Sequence, residues 1–177
     1  MIYVNAAKCS GCGRCEMACS FGRIKAYSRA DSVIKLIKEE ELGLDFPVTC
    51  VHCYRCVAAC PVEALSITDK GLIKLDREIC HPRTWAKVQG VKESGSIRCG
   101  ACEEACPVGI LEFDEYPSFC TNCGRCIKAC NQGALFEIDR PEIPELPSIK
   151  EVEELTPAQR RMKWALQHVE KLPWMEK

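Results

Sequence analysis

The chain has 177 residues, of which 16 are cysteine, 47% are hydrophobic and 7% are aromatic, and its formal net charge is -1. A charge so close to zero gives no argument for a nucleic-acid or membrane-surface partner, and no window approaches the roughly 20 apolar residues of a membrane span. Too few apolar residues remain beside the cysteines for an ordinary core, so we expect bound metal to contribute to folding.

This density of cysteine is typical either of a disulfide scaffold in a secreted protein or of metal binding in a reducing compartment. The sequence opens with Met1 and Ile2 and shows no charged region followed by an apolar run, so no export signal is indicated. We therefore expect a cytoplasmic protein whose clustered cysteines bind metal.

A short strand is predicted at Ile2–Val4, and the first cysteine motif follows it at once. The motif has the pattern C-x2-C-x2-C-x3-C and consists of Cys9, Cys12, Cys15 and Cys19. Three thiolates at this spacing can converge on one iron–sulfur cube, while the fourth, on the helix that follows, points to another cluster. One or two helical turns are expected over residues 15–21.

A connector of 30 residues, 20–49, separates the first motif from the second. It contains a predicted strand at 32–37 and a charged stretch at 38–41 that we interpret as a solvated turn. The second motif is Cys50, Cys53, Cys56 and Cys60, followed by Pro61. Apolar and polar residues then alternate over 62–76 on either side of an Asp-Lys-Gly turn, which predicts a β-hairpin.

The third motif is interrupted, because 18 residues separate Cys80 from Cys99, Cys102 and Cys106. The intervening stretch, 81–98, carries four basic residues and one acidic residue, and it is either a neutral surface excursion or a docking surface. The fourth motif is Cys120, Cys123, Cys126 and Cys130, and a strand is predicted after it at 134–138.

Residues 140–147 contain three prolines and are predicted to form an extended arm. A helix is expected to begin at Pro157 with Thr156 as its N-cap, because Met162, Ala165, Leu166, Val169 and Leu172 share one face. Such a helix either folds back on its own core or reaches a neighbouring subunit. The small core favours the neighbour, with Trp164 and Trp174 as contact anchors.

Zinc is the alternative to iron–sulfur clusters, since sixteen thiolates could make four tetrahedral sites. Zinc ribbons pair two C-x2-C knuckles and have no use for a third cysteine two residues later and a fourth after three more. The spacing therefore favours 4Fe-4S clusters over zinc and over disulfides. Four sets of four cysteines predict four clusters.

Which cysteines share a cluster depends on how the motifs pair, because in a two-cluster ferredoxin the fourth cysteine of each motif ligates the partner's cluster. Sequential pairing would join motifs one with two and three with four, whereas nested pairing would join two with three and one with four. Nesting is favoured, because only the connector between motifs two and three resembles a ferredoxin hairpin, and because nesting lets the strands at 2–4 and 134–138 lie side by side.

Nested pairing predicts four ligand sets. They are set 1 (Cys9, Cys12, Cys15 and Cys130), set 2 (Cys50, Cys53, Cys56 and Cys106), set 3 (Cys80, Cys99, Cys102 and Cys60) and set 4 (Cys120, Cys123, Cys126 and Cys19). The predicted fold class is α+β, with two bacterial-ferredoxin-like units in a nested, pseudo-twofold arrangement. The first unit comprises 1–49 and 107–140, the second comprises 50–106 with the insertion 81–98, and 141–177 is an arm and helix expected to contact a subunit.

Three arginines, Arg14, Arg55 and Arg125, stand just before the third cysteine of motifs one, two and four. Each either raises the reduction potential of its cluster by stabilising added negative charge or simply faces solvent. His52 and His81 adjoin cysteines, and we do not expect either to ligate a cluster.

With these motifs the chain resembles the four-cluster ferredoxin-like subunits that carry electrons for molybdenum or tungsten oxidoreductases and for some hydrogenases, including those of dimethyl sulfoxide reductase and formate dehydrogenase. The resemblance covers residues 1 to about 140 and also rests on the connector positions Ala18 to Phe21, Ser28, Arg29, Gly43 and Pro47. In size the chain is most similar to the small polyferredoxin of tungsten-dependent aldehyde oxidoreductases. It departs from the family at Cys130, which no proline follows, and in the 18-residue gap after Cys80.

The resemblance implies a non-catalytic subunit that carries electrons between an aldehyde- or formate-oxidising catalytic subunit and a flavin subunit, a ferredoxin or another carrier. Four cysteine ligands leave no open position on a cluster, so we expect one-electron transfer and no substrate chemistry. The alternatives are a free-standing soluble polyferredoxin or a hydrogenase subunit, and self-association through 141–177 is a further expectation. An enzyme in its own right would require an iron without its cysteine ligand.

Overall fold

The computed structural model describes residues 2–41, 43–80, 99–112, 116–137, 146–148 and 150–169. These residues form short helices and two-stranded antiparallel sheets, so the α+β class is confirmed at this level. The insertion 81–98, most of the arm 140–147, and Leu172 and Trp174 lie outside the described residues.

Six strands, five α-helices and one 3-10 helix are found in the described part of the chain. They are β1 (Ile2–Val4), the 3-10 helix (Ala6–Lys8), α1 (Arg14–Ile24), β2 (Lys35–Glu39), β3 (Leu44–Val48), α2 (Arg55–Ala58), β4 (Leu65–Ile67), β5 (Ile73–Leu75), α3 (Ala101–Glu104), α4 (Arg125–Ala129), β6 (Leu135–Glu137) and α5 (Pro157–Val169).

The two ends of the cysteine-rich part of the chain meet in a sheet. β1 pairs with β6 in antiparallel register, so Tyr3 stands opposite Phe136 and their ring centroids are 5.3 Å apart. Helix α1 packs against α4 on the same side of the molecule. The expectation that the strands at 2–4 and 134–138 lie side by side is confirmed.

The predicted hairpin over 62–76 is also present. β4 pairs with β5 in antiparallel register, and Gly71 takes the left-handed conformation in the turn, with φ of 70°. The strand predicted at 32–37 is displaced, because β2 runs from Lys35 to Glu39 and pairs with β3. Lys38 and Glu39 therefore lie in a strand rather than in a solvated turn. The main-chain N–H of Leu36 donates to Glu16 Oε1 (2.9 Å), which fixes this strand against α1.

Helix α1 is longer than the one or two turns expected from the sequence, since it has 11 residues and ends at Ile24. It is closed by Lys25 in the left-handed conformation, whose N–H donates to the carbonyl of Phe21. The buried hydroxyl of Ser20 accepts the N–H of Ser28 (3.0 Å), which holds the following loop against the helix.

Helix α5 begins where the sequence predicts. Thr156 and Gln159 form a reciprocal capping pair, in which Gln159 N–H donates to Thr156 Oγ1 (3.3 Å) and Thr156 N–H donates to Gln159 Oε1 (2.9 Å). The buried face of the helix differs from the predicted one, because Arg160, Arg161 and Trp164 are buried with Ala165, whereas Met162 and Leu166 are only half-buried.

Trp164 is only 4% exposed and packs in the protein's own core with Cys56, Cys102 and Cys106. The prediction that Trp164 anchors a contact with a neighbouring subunit is therefore wrong. The helix folds back on β2 and β3. Its two arginines donate to the backbone carbonyls of Glu104 in α3 and of Gly109, which offsets the cost of burying their charge.

The described residues contain two separate hydrophobic cores. One surrounds Cys15 and Cys126 and includes Ile2, Ile34 and Leu135. The other surrounds the cysteines of motifs two and three, and it includes the following residues from outside them: Ala6, Phe46, Val48, Val108, Ile110, Leu111, Phe119, Trp164 and Ala165. The predicted division of the chain assigns several of these residues to the first unit, although they pack in the second core: Ala6, Phe46, Val48, Val108, Ile110, Leu111 and Phe119.

Candidate cluster-binding sites

Three of the cysteine motifs share one backbone conformation. The residues just before and just after the second cysteine have positive φ in each case: Gly11 and Gly13, His52 and Tyr54, and Asn122 and Gly124. Two left-handed residues around one cysteine tighten the loop, and the next residue begins a helix in each motif. For His52 and Tyr54 this conformation costs about 1–2 kcal/mol each, which the surrounding structure must offset.

The cysteines of set 1 line one cavity. Three of them come from the first motif, and Cys130 comes from the far end of the fourth. The remaining wall is largely apolar and includes Leu36, Pro47 and Leu135. Burial raises the pKa of the Cys9 thiol, and the neighbouring charges of Asp45, Cys12 and Cys130 raise it further.

The cysteines of set 2 line a second cavity. Here Cys106 joins three thiols of the second motif. The wall is apolar and contains Tyr54, Ile73, Val108, Ile110, Leu111 and Phe119. The hydroxyl of Tyr54 donates to the carbonyl of Gly71 (2.9 Å), which ties this cavity to the turn between β4 and β5.

Within set 3, and likewise within set 4, the cysteines are also neighbours. The pKa of Cys80 is raised by burial and then by the charges of Cys99 and Cys60, which places these three thiols together. Burial raises the pKa of Cys126 to about 12, with the charges of Cys120, Cys19 and Cys123 adding to the effect. The structure therefore brings together the cysteines of each set, and their ligation of a cluster stays a prediction.

Charge interactions between cysteines of different sets indicate which sites are neighbours. Cys126 of set 4 is among the charges that raise the pKa of Cys15 in set 1, after burial. In the same way Cys120 of set 4 acts on the pKa of Cys50 in set 2, and Cys56 of set 2 acts on that of Cys102 in set 3. The four sites are thus linked in the order set 1, set 4, set 2, set 3.

The chemistry of the donors suits a 4Fe-4S cluster, since four thiols surround a largely apolar cavity and main-chain N–H groups point at sulfur. The N–H of His52 donates to Cys50 Sγ (3.4 Å), and that of Ala134 donates to Cys130 Sγ (3.3 Å). Such bonds stabilise negative charge on the sulfur and are among the factors that set cluster potentials. Among the described residues, no three Cys, His, Asp or Glu side chains converge on the position of a single metal ion.

The third cysteine of each motif is buried. Burial raises the pKa of Cys15, Cys56, Cys102 and Cys126 to about 12 in each case. Without metal these groups are neutral thiols at physiological pH, and ligation must displace their protons. At the opposite extreme, Cys12 and Cys123 are exposed, so sets 1 and 4 each present one thiol to solvent.

The three motif arginines have different surroundings. Arg55 is half-buried, donates to the carbonyl of Pro147 (2.7 Å), and its charge opposes the rise in the pKa of Cys53 that burial causes. Arg125 is exposed but donates to the carbonyl of Gly22 (3.3 Å). Arg14 is exposed on the wall of the set 1 cavity. His52 is buried, and His81 lies outside the described residues.

Two further arginines near the sites were missed, because arginine on a predicted helix is assigned to the solvent face. Arg160 and Arg161 are 4% and 8% exposed. Arg160 donates to the carbonyl of Cys106 (3.2 Å), and Arg161 donates to that of Gly109 (2.8 Å). The Thr-Pro start of α5 is a signal for the helix but not for its buried face.

Comparison with protein families matches most of the cysteine-rich part of the chain to 4Fe-4S domains. The 4Fe-4S dicluster domain family matches residues 8–65, a second dicluster family matches 49–110, and a 4Fe-4S binding domain family matches 117–133. Multiple 4Fe-4S clusters are thereby confirmed as the cofactor type of these motifs. In the described part of the chain, no helix has the length and apolar character needed to cross a membrane.

Three curated proteins illustrate the similarity. The polyferredoxin-like subunit of aliphatic sulfonate oxidoreductase from Pyrococcus furiosus is 32% identical, over 74% of this chain and 71% of the relative. An uncharacterised ferredoxin of Methanocaldococcus jannaschii is 28% identical, over 80% and 74%. A subunit of the anaerobic dimethyl sulfoxide reductase of Escherichia coli is 24% identical, over 74% of this chain and 63% of the relative.

Among solved structures, a component of the active-site complex BamBC of benzoyl coenzyme A reductase aligns with 97% of this chain and 97% of its own length. The sequence identity is 20% and the TM-score is 0.39, a level at which the alignment carries no argument about fold or function.

Proposed function

Because this protein belongs to the family of 4Fe-4S polyferredoxin-like subunits, we propose that it is the non-catalytic electron-transfer subunit of a molybdenum or tungsten oxidoreductase complex. It carries electrons between a catalytic subunit and a flavin subunit or another redox carrier. The observation that carries this proposal is the pair of apolar cavities, each lined by four thiols drawn from two different motifs.

Sets 1 to 4 are the proposed ligands of four 4Fe-4S clusters. When bound, each cluster accepts and returns one electron. The thiolates hold the cluster, the apolar walls exclude water, and the N–H groups of His52 and Ala134 stabilise charge on sulfur. Four thiolates at each site leave no place for a substrate, which supports a role in transfer alone.

The nested arrangement of two ferredoxin-like units is part of the same proposal. In it, motifs one and four form the first unit and exchange Cys19 and Cys130, while motifs two and three form the second and exchange Cys60 and Cys106. The pairing of β1 with β6 and the packing of α1 on α4 support this arrangement.

The adjacency of the sites supports one path for electrons, through sets 1, 4, 2 and 3 in that order. Its ends are set 1, where Cys12 is exposed, and set 3, whose Cys80 and Cys99 flank the basic insertion 81–98. We propose that partners exchange electrons at these two ends.

The substrate of the catalytic partner remains a proposal at the level of class. The similar proteins carry the names of sulfonate and dimethyl sulfoxide oxidoreductases. An aldehyde- or formate-oxidising partner with tungsten or molybdenum stays a prediction from the resemblance in sequence.

Anaerobic purification from the native source tests the proposal. A molybdenum- or tungsten-containing subunit should copurify, and the subunit itself should contain about 16 iron atoms, four for each cluster. A protein that purifies alone with a full iron complement would be a free-standing polyferredoxin. A protein with one incompletely ligated, exchangeable iron would be a candidate enzyme, and either result would contradict the proposed role.

A further inference from the structure

Arg160 of helix α5 is a buried charge with an unusual set of partners. It is 4% exposed. All six hydrogen bonds described for its guanidinium go to backbone carbonyls: those of Val152 (2.8 Å), Leu155 (3.0 Å), Glu153 (3.5 Å), Glu103 (3.1 Å), Glu104 (2.6 Å) and Cys106 (3.2 Å). The charge is therefore solvated by dipoles rather than by water or by a carboxylate.

Three of these carbonyls belong to the segment that joins two of the cluster sites. Helix α3 carries Cys102 of set 3, and the turn that ends it carries Cys106 of set 2. The carbonyls at the end of a helix bear partial negative charge. The guanidinium of Arg160 is thus fixed at the carboxyl end of the element that holds one ligand of each site.

The neighbouring Arg161 provides a contrast within the same helix. It is also buried, but its Nη1 forms an ion pair with Glu112 Oε2 at 2.9 Å as well as a bond to the carbonyl of Gly109. Within the described part of the chain, Arg160 forms no ion pair with a carboxylate. Arg161 therefore has a carboxylate partner, whereas the partners described for Arg160 are carbonyl dipoles.

Uncompensated positive charge in a buried setting stabilises any negative charge that is added nearby, and it does so more strongly than at the surface. Reduction of a 4Fe-4S cluster adds one electron and hence one negative charge. We propose that Arg160 is a positioning residue for electron transfer, which raises the reduction potential of the clusters held by Cys102 and Cys106. This inference rests on the proposed ligand sets.

The segment that supplies Arg160 lies outside the residues that the 4Fe-4S domain families match, 8–110 and 117–133. In this proposal, helix α5 supplies a positive charge to the pair of ferredoxin-like units. That charge makes the clusters at one end of the electron path easier to reduce. The same arginine also closes α5 onto α3, so the test must separate charge from structure.

The experiment is a redox titration of the reconstituted holoprotein, followed by electron paramagnetic resonance, with dithionite as the electron donor. The variants are Arg160→Gln, which keeps donors but removes the charge, and Arg160→Lys, which keeps the charge with fewer donors. Arg161→Gln is the matched control. Signals of the cluster held by Cys106 are assigned by their loss or alteration in Cys106→Ser.

We expect two of the four midpoint potentials to fall in Arg160→Gln by more than the reproducibility of the titration, with the first unit unchanged. Arg160→Lys should retain most of the wild-type potentials, and Arg161→Gln should shift them less than Arg160→Gln does. Equal falls in the Lys and Gln variants, equal shifts in all four clusters, or no shift would overturn the inference.

If Arg160→Gln does not hold its clusters, Gly109→Ala replaces it. A Cβ at Gly109 would overlap the carbonyl of Pro157 and the Cβ of Arg160, so the start of α5 must shift with Arg160, while the positive charge stays in the protein. The same two potentials should fall, and unchanged potentials would reject the inference. Wild-type protein without four reducible clusters would instead reject the proposed function, which iron analysis of the same samples detects.

Discussion

Cys9 and Cys130 line the same cavity, although they stand at opposite ends of the cysteine-rich part of the chain. The main-chain N–H of Ala134 donates to the sulfur of Cys130, and Asn5 N–H donates to the carbonyl of Ala134, so both sides of the site are fixed by the β1–β6 sheet. The ligand from the last motif is thereby positioned by the same sheet that leads into the first motif.

This relationship predicts which cluster a single cysteine supports. Cys130→Ala should abolish or alter the signal of the cluster held by the first motif and leave the clusters of motifs two and three intact. The iron content should fall by at most about four atoms, which is the content of one cluster. The measurement is iron analysis combined with the spectrum of the reduced protein.

Cys60→Ala is the matched control for this prediction, since Cys60 is likewise the fourth cysteine of its motif but neighbours Cys80. It should affect the cluster of the third motif and spare that of the first. If Cys130→Ala instead removed the cluster anchored near Cys99, nested exchange of ligands would be refuted.

Sequence reasoning located the elements that depend on local patterns. Motif spacing indicated the cysteine groups, alternation predicted the β4–β5 hairpin, and Thr156 with Pro157 predicted the start of α5. These features succeed because turn chemistry, capping and spacing are encoded within a few residues. The pairing of β1 with β6 followed from the logic of ligand exchange between distant motifs.

The features that the sequence did not predict depend on tertiary contacts. β3 contains Pro47 and therefore showed no clear strand signal, yet it pairs with β2 through residues on either side. Trp164 was predicted to contact another subunit, and Arg160 was not identified, because no local pattern shows that carbonyls of α3 would receive a guanidinium. Burial of charge is decided by the partner segment, which the helix sequence does not contain.

Gly109 is predicted to be the glycine least tolerant of substitution on this side of the molecule. Its φ is +66°, which costs a residue with a Cβ about 1–2 kcal/mol, and the Cβ would also overlap the backbone of Pro157. Gly109→Ala should therefore lower stability by about 1–3 kcal/mol beyond the backbone term. The measurement is the temperature at which cluster absorbance is lost.

Gly133→Ala is the control for Gly109→Ala. Gly133 has a similar φ of +63°, but nothing lies within 4 Å of a Cβ placed there. Gly133→Ala should therefore lower stability only by the cost of placing alanine in the left-handed backbone conformation. Equal losses at the two positions would mean that the contact between Gly109 and α5 does not limit stability.

Cluster assembly is predicted to become more favourable as pH rises. Burial raises the pKa of Cys56 and of Cys102 to about 12, so the metal-free folded protein holds these protons throughout the neutral range. Thiolate ligation releases them, and the apparent affinity therefore increases with pH. Reconstitution with iron and sulfide should be more complete at about pH 8.5 than at about pH 6.5.

The same raised pKa values determine how the stability of the metal-free protein changes with pH. A thiol whose folded-state pKa lies above its unfolded value of about 8.5 contributes stability that is intact below that value and is lost as pH rises through the folded pKa. Any metal-free fold should therefore weaken above about pH 9, while the loaded protein is lost toward acid. A reconstitution yield that does not depend on pH, measured by absorbance at equilibrium, would contradict this account.

The burial of Trp164 predicts that helix α5 is needed for the stability of the second core rather than for contact with another subunit. Trp164→Ala removes a side chain that is 4% exposed and packs beside Cys56, Cys102 and Cys106, and such truncations cost about 3–5 kcal/mol. The holoprotein should lose the clusters of motifs two and three at lower temperature or denaturant concentration than wild type does, while the signals of motifs one and four persist longer.

Gln167→Ala, at an exposed position of the same helix, should change stability by less than about 0.5 kcal/mol. A Trp164→Ala protein with wild-type stability but impaired complex formation would restore the subunit-contact interpretation.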